Sequence, residues 1–247
     1  MSVAIITGAS RGIGAATAML AAQKGYSVVV NYKSNEHAAR TVVDGITSVG
    51  GTAVAVAGDV GVEADVLRLF EACLSRFGRV DALVNNAGIL EPHMTLESMT
   101  ADRMSRVLIT NVVGSMLCAR EAVRHMSSKN GGSGGGIVNV SSIAAQLGSP
   151  GEYVDYAASK GAIDTLTRGL AVEVADCGIR VNAVRPGVIY TDIHASGGEP
   201  GRVDRVKQNV PMRRGGTADE VARAILWLLS EDASYTTGSL IDVSGGR

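Results

Sequence analysis

Two hydrophobic rhythms alternate along the chain. Short, mostly apolar runs rich in Val, Ile and Ala occupy residues 3–7, 26–32, 52–57, 81–84, 137–140, 179–185 and 240–243. Runs of this kind, without regular polar alternation, mark strands buried on both faces. Between them lie longer stretches with helical spacing: residues 15–24, a segment opened by Asn35, residues 63–76, residues 101–126, and a segment that follows Pro150-Gly151. A last helix is opened by Thr217-Ala-Asp-Glu220, a capping-box pattern, and runs to about Leu229. Gly25 and Gly78 close two of these segments. The alternation of strand and helix predicts an α/β fold with one parallel sheet covered on both faces. No linker or repeat interrupts it, so residues 1–247 read as a single domain. Residues 190–212 break the pattern. They are rich in Gly, Pro and charge and follow the carboxyl end of a strand, where a substrate lid is expected.

Composition narrows the function classes. At 247 residues and 46% hydrophobic, the chain can bury a large core, and with 4% aromatics that core must be built of small aliphatic residues. A net charge of −1 gives no reason to expect nucleic acid or an anionic membrane as partner. Cys73, Cys118 and Cys177 form no CxxC pair, and the four histidines show no metal-ligand spacing, so reduced thiols, no metal and a cytoplasmic location are expected. No apolar run is long enough to suggest a membrane span.

Chemistry enters at two places. The first strand feeds Gly8-Ala-Ser10-Arg11-Gly12-Ile13-Gly14 and then a helix. A glycine-rich strand-to-helix turn cradles phosphates, because the backbone can approach closely and the helix start offers free N–H groups. The same residues match the G-x-S-x-G nucleophile elbow. That elbow needs an oxyanion-hole loop from an earlier strand, and seven residues stand before Gly8, so a hydrolase is not expected. The second place is Gly136 to Lys160. A strand ends in Ser141-Ser142, and the helix beyond carries Tyr156 and Lys160 four apart on one face. Ser, Tyr and Lys at the carboxyl rim of a parallel sheet suit proton transfer to or from an alcohol or carbonyl oxygen. A phenol titrates near pH 10, and a neighbouring cation lowers it; reaching about 7 takes roughly 4 kcal/mol.

The end of the second strand bears on the cofactor. An acid about 20 residues past the glycine turn accepts from the ribose 2′-hydroxyl of NAD. Here that stretch is Asn31-Tyr32-Lys33-Ser34, with no carboxylate. Asn31 can donate to a 2′-phosphate, Lys33 adds charge, and Arg11 can reach the same group, so NADPH is expected over NADH. Glu36, one turn further, is the competing acid. On this reading Asn31→Asp should move preference toward NADH.

Taken in order, Thr7-Gly8-x-x-x-Gly12-x-Gly14, Asp59, Asn85-Asn86-Ala87-Gly88, Asn111, Ser142, Tyr156-x-x-x-Lys160 and Pro186-Gly187 with Thr191 resemble the short-chain dehydrogenase/reductase family over essentially the whole chain. The likeness is to its 3-oxoacyl-carrier-protein reductase and glucose dehydrogenase types. The resemblance implies a doubly wound Rossmann sheet of about seven strands and reversible hydride transfer between a nicotinamide and a carbonyl or secondary alcohol. It implies Tyr156 as acid/base, Lys160 lowering its pKa and holding the ribose, Ser142 orienting substrate, and Asn111 holding a relay water. It further implies cofactor contacts at Gly8, Ser10, Arg11, Gly12, Ile13, Gly14, Asn31, Tyr32, Lys33, Asp59, Val60, Asn86, Ala87, Gly88, Tyr156, Lys160, Pro186, Gly187, Val188 and Thr191. Tyr153 and Glu152 are candidates for the substrate wall, and a homotetramer is the family's usual assembly. The loop before the Ser142 strand has a single cation, Lys129, so a small free carbonyl or sugar-like substrate is expected over a carrier-bound one. A 3-oxoacyl-carrier reductase and, more remotely, a non-catalytic dinucleotide sensor remain the alternatives.

Overall fold

The computed structural model describes residues 2–247. Seven strands form one parallel sheet: β1 (Val3–Ile6), β2 (Ser27–Tyr32), β3 (Thr52–Ala57), β4 (Ala82–Asn85), β5 (Gly135–Val140), β6 (Ile179–Pro186) and β7 (Leu240–Val243), in the order β3-β2-β1-β4-β5-β6-β7. Because side chains alternate across a strand, each run feeds two cores. Ala4, Ile6, Val28, Val30, Val84 and Val138 face one side. There they meet α1 (Gly12–Gln23), α2 (Glu36–Ser48) and the terminal helix, numbered α10 below (Ala218–Leu229). Val3, Ile5, Val29, Leu83, Ile137 and Val181 face the other side, against α3 (Glu63–Phe77) and the helices α5 and α7 defined next. Each fully buried aliphatic side chain contributes about 1.5–3 kcal/mol.

The 101–126 segment is continuous but not uniform. It runs as α4 (Ala101–Leu108), a π-helical turn (Ile109–Val113) and α5 (Gly114–Met126). Such turns are often found at functional sites, and Asn111 stands in the middle of this one. A short α6 (Ala144–Leu147) precedes the long α7 (Val154–Val174). The 190–212 excursion carries two small helices, α8 (Ile193–Ser196) and α9 (Arg202–Val206). It is anchored by its own apolar cluster of Val188, Val203, Val206 and Val210, which the irregular sequence pattern had concealed. The expected caps form: Asn35 Oδ1 accepts from Ala38 N, and Thr217 and Glu220 close a capping box.

The sheet order reverses direction between β1 and β4, and there the glycine turn meets the Asn-Asn-Ala-Gly turn. Asn86 Nδ2 donates to the carbonyls of Thr7 and Gly8 at 2.8 and 3.0 Å, and Thr7 Oγ1 accepts from Asn86 N and Ala87 N, both at 3.0 Å. Gly8 has φ of +60°, and a Cβ on it would lie 2.9 Å from Ala87 Cα. A Cβ on Gly14 would lie 2.5 Å from Asn86 Nδ2 and 2.7 Å from the Gly8 carbonyl oxygen. Gly14→Ala is therefore expected to destabilise the fold by about 1–3 kcal/mol, the usual cost of overpacking, despite the better helix propensity of Ala. An unchanged denaturant midpoint would contradict that expectation.

Candidate active site

A cleft of about 850 Å³ runs along the carboxyl rim from the glycine turn to α8. Of the sequence-predicted residues it gathers Gly8, Ser10, Arg11, Gly12, Ile13, Asn31, Lys33, Asp59 and Val60 at one end. Asn86, Ala87, Gly88, Pro186, Gly187, Val188 and Thr191 line its middle, and Ser142, Tyr153, Tyr156, Lys160 and Glu152 its far end. The start of α1 opens on this space with no side-chain cap and no acid in its first turn. That is the condition in which a helix terminus takes an outside anion, so the residues present fit a dinucleotide pyrophosphate.

Three expected residues do not act as foreseen, and a fourth, Asn111, has a structural duty as well. Gly14 does not line the cleft, because its role is the close packing against Asn86 and Gly8. Tyr32 turns into the core beside α2 and is 9% exposed. Asn31 reaches the cleft wall, yet its amide is committed. Oδ1 accepts from Gly8 N at 3.2 Å, and Nδ2 donates to the carbonyls of Val56 and Gly58 at 3.3 and 3.0 Å. Both N–H groups are spent on β3 and its exit, so none is free for a 2′-phosphate. Asn111 is wholly buried and clamps the chain: Oδ1 accepts from Ile89 N at 2.8 Å, and Nδ2 donates to Ile89 O and Ser159 Oγ at 3.1 and 3.0 Å. Both of its side-chain donors are in use, so a relay water at Asn111 would donate to it.

The two serines separate by role. Ser141 Oγ donates to Asp164 Oδ1 at 2.6 Å, lies 3.1 Å from the Lys160 carbonyl, and is buried. Ser142 faces the cleft, where its Oγ accepts from Ala144 N at 3.1 Å, and its hydroxyl beside Tyr156 favours the ionised phenol. Lys160 Nζ donates to Val140 O at 2.7 Å and sits 5.5 Å from the centroid of the Tyr156 ring. Burial dominates both titrations. It pushes Tyr156 up to about 12 against the Ser142 hydroxyl, and it pulls Lys160 down to about 8 against the charge of Asp164. The expected lowering of Tyr156 by its lysine does not occur in the protein alone, because desolvation outweighs a cation that reaches only the ring.

At the far end, Tyr153 is buried, with Arg202 over its ring at 5.0 Å and His93 at its edge. Glu152 pairs with Arg202 and Arg205, and Glu199 pairs with the same two arginines. These four charges tie α9 to the entry of α7. No local signal marks Arg202 and Arg205 as partners of Glu152, since those contacts cross 50 and 53 residues.

The comparisons agree with this geometry. Residues 8–247 match a family model described as enoyl-(acyl carrier protein) reductase. The chain is 63% identical over 247 residues to the uncharacterized oxidoreductase YgfF of Escherichia coli K12, covering all of both chains. It is 38% identical to glucose 1-dehydrogenase 2 of Bacillus subtilis, covering 98% of this chain and 93% of that one. The chain belongs to the short-chain dehydrogenase/reductase family. A solved structure of 3-ketoacyl-(acyl-carrier-protein) reductase from Brucella melitensis, complexed with NADH, superposes with a TM-score of 0.92 at 36% identity, covering 100% and 98% of the two chains. The protein is accordingly an NAD(P)-dependent dehydrogenase/reductase with a Rossmann fold. Among the described residues, no helix is long and apolar enough to cross a membrane.

Proposed function

We propose that this enzyme is an NADPH-dependent reductase of a small free carbonyl compound, with Tyr156 as the proton donor. The carrying observation is that Ser142, Tyr156 and Lys160 share the far end of a cleft whose near end is the uncapped start of α1. A bound nicotinamide supplies the hydride. Tyr156 gives its phenolic proton to the carbonyl oxygen, and Ser142 holds that oxygen. Burial holds the Tyr156 phenol protonated at neutral pH, the form that a proton donor needs.

Lys160 sets the pH range. A lysine pulled down to about 8 is charged below that value and neutral above it. The expected result is kcat/KM for reduction that falls above about pH 8 rather than near the ordinary lysine value, read from a profile with saturating NADPH. A limb first appearing near pH 10 would mean that the Lys160 charge does not stabilise the phenolate left when Tyr156 gives up its proton.

Leu90, Ile143 and Leu147 line the substrate end with Tyr153, which favours a compact carbonyl with an apolar body. The neighbour from Brucella favours a second reading, a carrier-bound 3-oxoacyl group. Arg202 and Arg205 stand at that mouth, but Glu152 and Glu199 neutralise them, so neither is free to grip an acidic carrier. The test is NADPH oxidation against free ketones, aldehydes, aldoses and an acetoacetyl-carrier thioester. Binding of NADPH without turnover of any of them would overturn the reductase reading, and a strong preference for the thioester would overturn the substrate.

A homotetramer is part of this proposal. Leu108, Ile109, Val113 and Met116 form an exposed apolar stripe along α4 and α5, Val172 is 82% exposed on α7, and Trp227 and Tyr235 are exposed near β7. Patches of this kind mark association surfaces. The expected sedimentation mass is four times the 25.4 kDa chain. We also assign the enzyme to the cytoplasm, in keeping with its three free, buried cysteines.

A further inference from the structure

An ion pair with no part in the chemistry above lies one residue from Tyr156. Arg103 on α4 and Asp155 on α7 are buried, at 4% and 7% exposure. Arg103 Nε donates to Asp155 Oδ2 at 2.8 Å and Nη2 to Oδ1 at 3.3 Å, a two-point fork. Its Nη1 donates to the Pro92 carbonyl. Asp155 Oδ1 also accepts from Tyr156 N at 2.9 Å. Three segments therefore meet on one guanidinium: α4, the loop from β4 that brings Leu90 to the cleft wall, and the first turn of α7. The same loop is tied again where Met94 N donates to Glu152 O at 3.0 Å.

A buried pair of this kind is weak as a source of stability, since desolvating both charges offsets most of their attraction, and neutral replacements of similar size are often tolerated. Its value lies in direction. A planar fork fixes both partners in angle as well as distance, and small misplacements of a reacting group are costly in rate. We propose that Arg103 and Asp155 are positioning residues that hold the first turn of α7, and with it the Tyr156 hydroxyl, against the substrate wall. The proposal rests on Tyr156 being the proton donor.

The test uses the full chain with both charges removed together. Arg103→Met alone strands a buried carboxylate and is expected to lower the denaturant midpoint strongly. The double variant Arg103→Met/Asp155→Asn removes that liability, and Asn keeps an oxygen for Tyr156 N. Its midpoint and its NADPH dissociation constant, measured by calorimetric titration, are expected to return close to wild type. Its kcat on the best carbonyl of the panel is expected to stay about 10- to 100-fold low. Amide hydrogen exchange is expected to speed up in the segment 153–158 and not in the sheet. A double variant with kcat within threefold of wild type overturns the proposal, whatever its exchange. Should the wild type turn over no carbonyl, the functional reading fails instead and exchange alone decides: unchanged protection of 153–158 overturns the positioning role.

Discussion

Tyr156→Phe is expected to lower kcat for carbonyl reduction by about 10² to 10⁴, the usual worth of a positioned acid, while the NADPH dissociation constant stays within about twofold. Phe keeps the ring that packs beside Lys160 and removes only the hydroxyl. That hydroxyl is a proton-bearing group at the substrate end: Ser142 lines the same part of the cleft, and burial keeps the phenol protonated at neutral pH. Tyr153 is the internal control. Its hydroxyl reaches the Gly197 carbonyl only at 3.5 Å, and its ring is held by Arg202. Tyr153→Phe should therefore leave kcat within a few-fold and act, if at all, on KM for the carbonyl. Equal losses in the two variants would mean that ring packing, not proton donation, sets the rate.

The sheet was legible because its strands announce themselves twice over, as apolar runs and as neighbours of helical segments. The order of the motifs likewise places the cleft, since a parallel sheet brings every β-to-α turn to one rim. The sequence could not show where polar side chains spend their hydrogen bonds. Asn31 looked free for a phosphate because its acceptors, Val56 and Gly58, belong to another strand. The clamp made by Asn111 was not legible because Ile89 and Ser159 are 22 and 48 residues away. Arg103 and Asp155 are 52 residues apart, and neither belongs to a motif. Ser142 was chosen over Ser141 on the family resemblance; what the sequence did not show is Asp164, one helical turn past Lys160, which captures Ser141. Local pattern reports what a residue can do; the partner that exhausts it arrives from a distant element.

Arg11→Ala and Lys33→Ala are expected to lower kcat/KM with NADPH by about 10- to 100-fold each, from the roughly 1.5–3 kcal/mol of a charge-assisted hydrogen bond, and to change NADH by less than threefold. With Asn31 committed, the adenosine end of the cleft is bounded by Arg11, Lys33, Ser34, Asn35 and Asp59. Glu36 is not among the cleft-lining residues and is paired with Arg40 at 2.6 Å along α2. The remaining acid, Asp59, accepts from Gly61 N at 3.0 Å and pairs with Lys33 at 2.6 Å. Lys33 is exposed enough to swing from Asp59 to a phosphate, and Arg11 hangs on the rim with only a 3.5 Å contact to Ser196. Two exposed cations and one partly neutralised acid are the basis on which we infer NADPH over NADH. Asn31→Asp no longer tests this. A carboxylate there would face the carbonyls of Val56 and Gly58, so the variant should lose stability with either cofactor instead of exchanging one for the other. Lys33→Ala has a further consequence that a merely surface lysine would lack: it frees Asp59, and a freed carboxylate in that end of the cleft repels a 2′-phosphate. The ratio of NADPH to NADH efficiency should therefore fall further in Lys33→Ala than in Arg11→Ala. A wild-type enzyme already more efficient with NADH, or a ratio unmoved by both substitutions, would place cofactor choice elsewhere in the cleft.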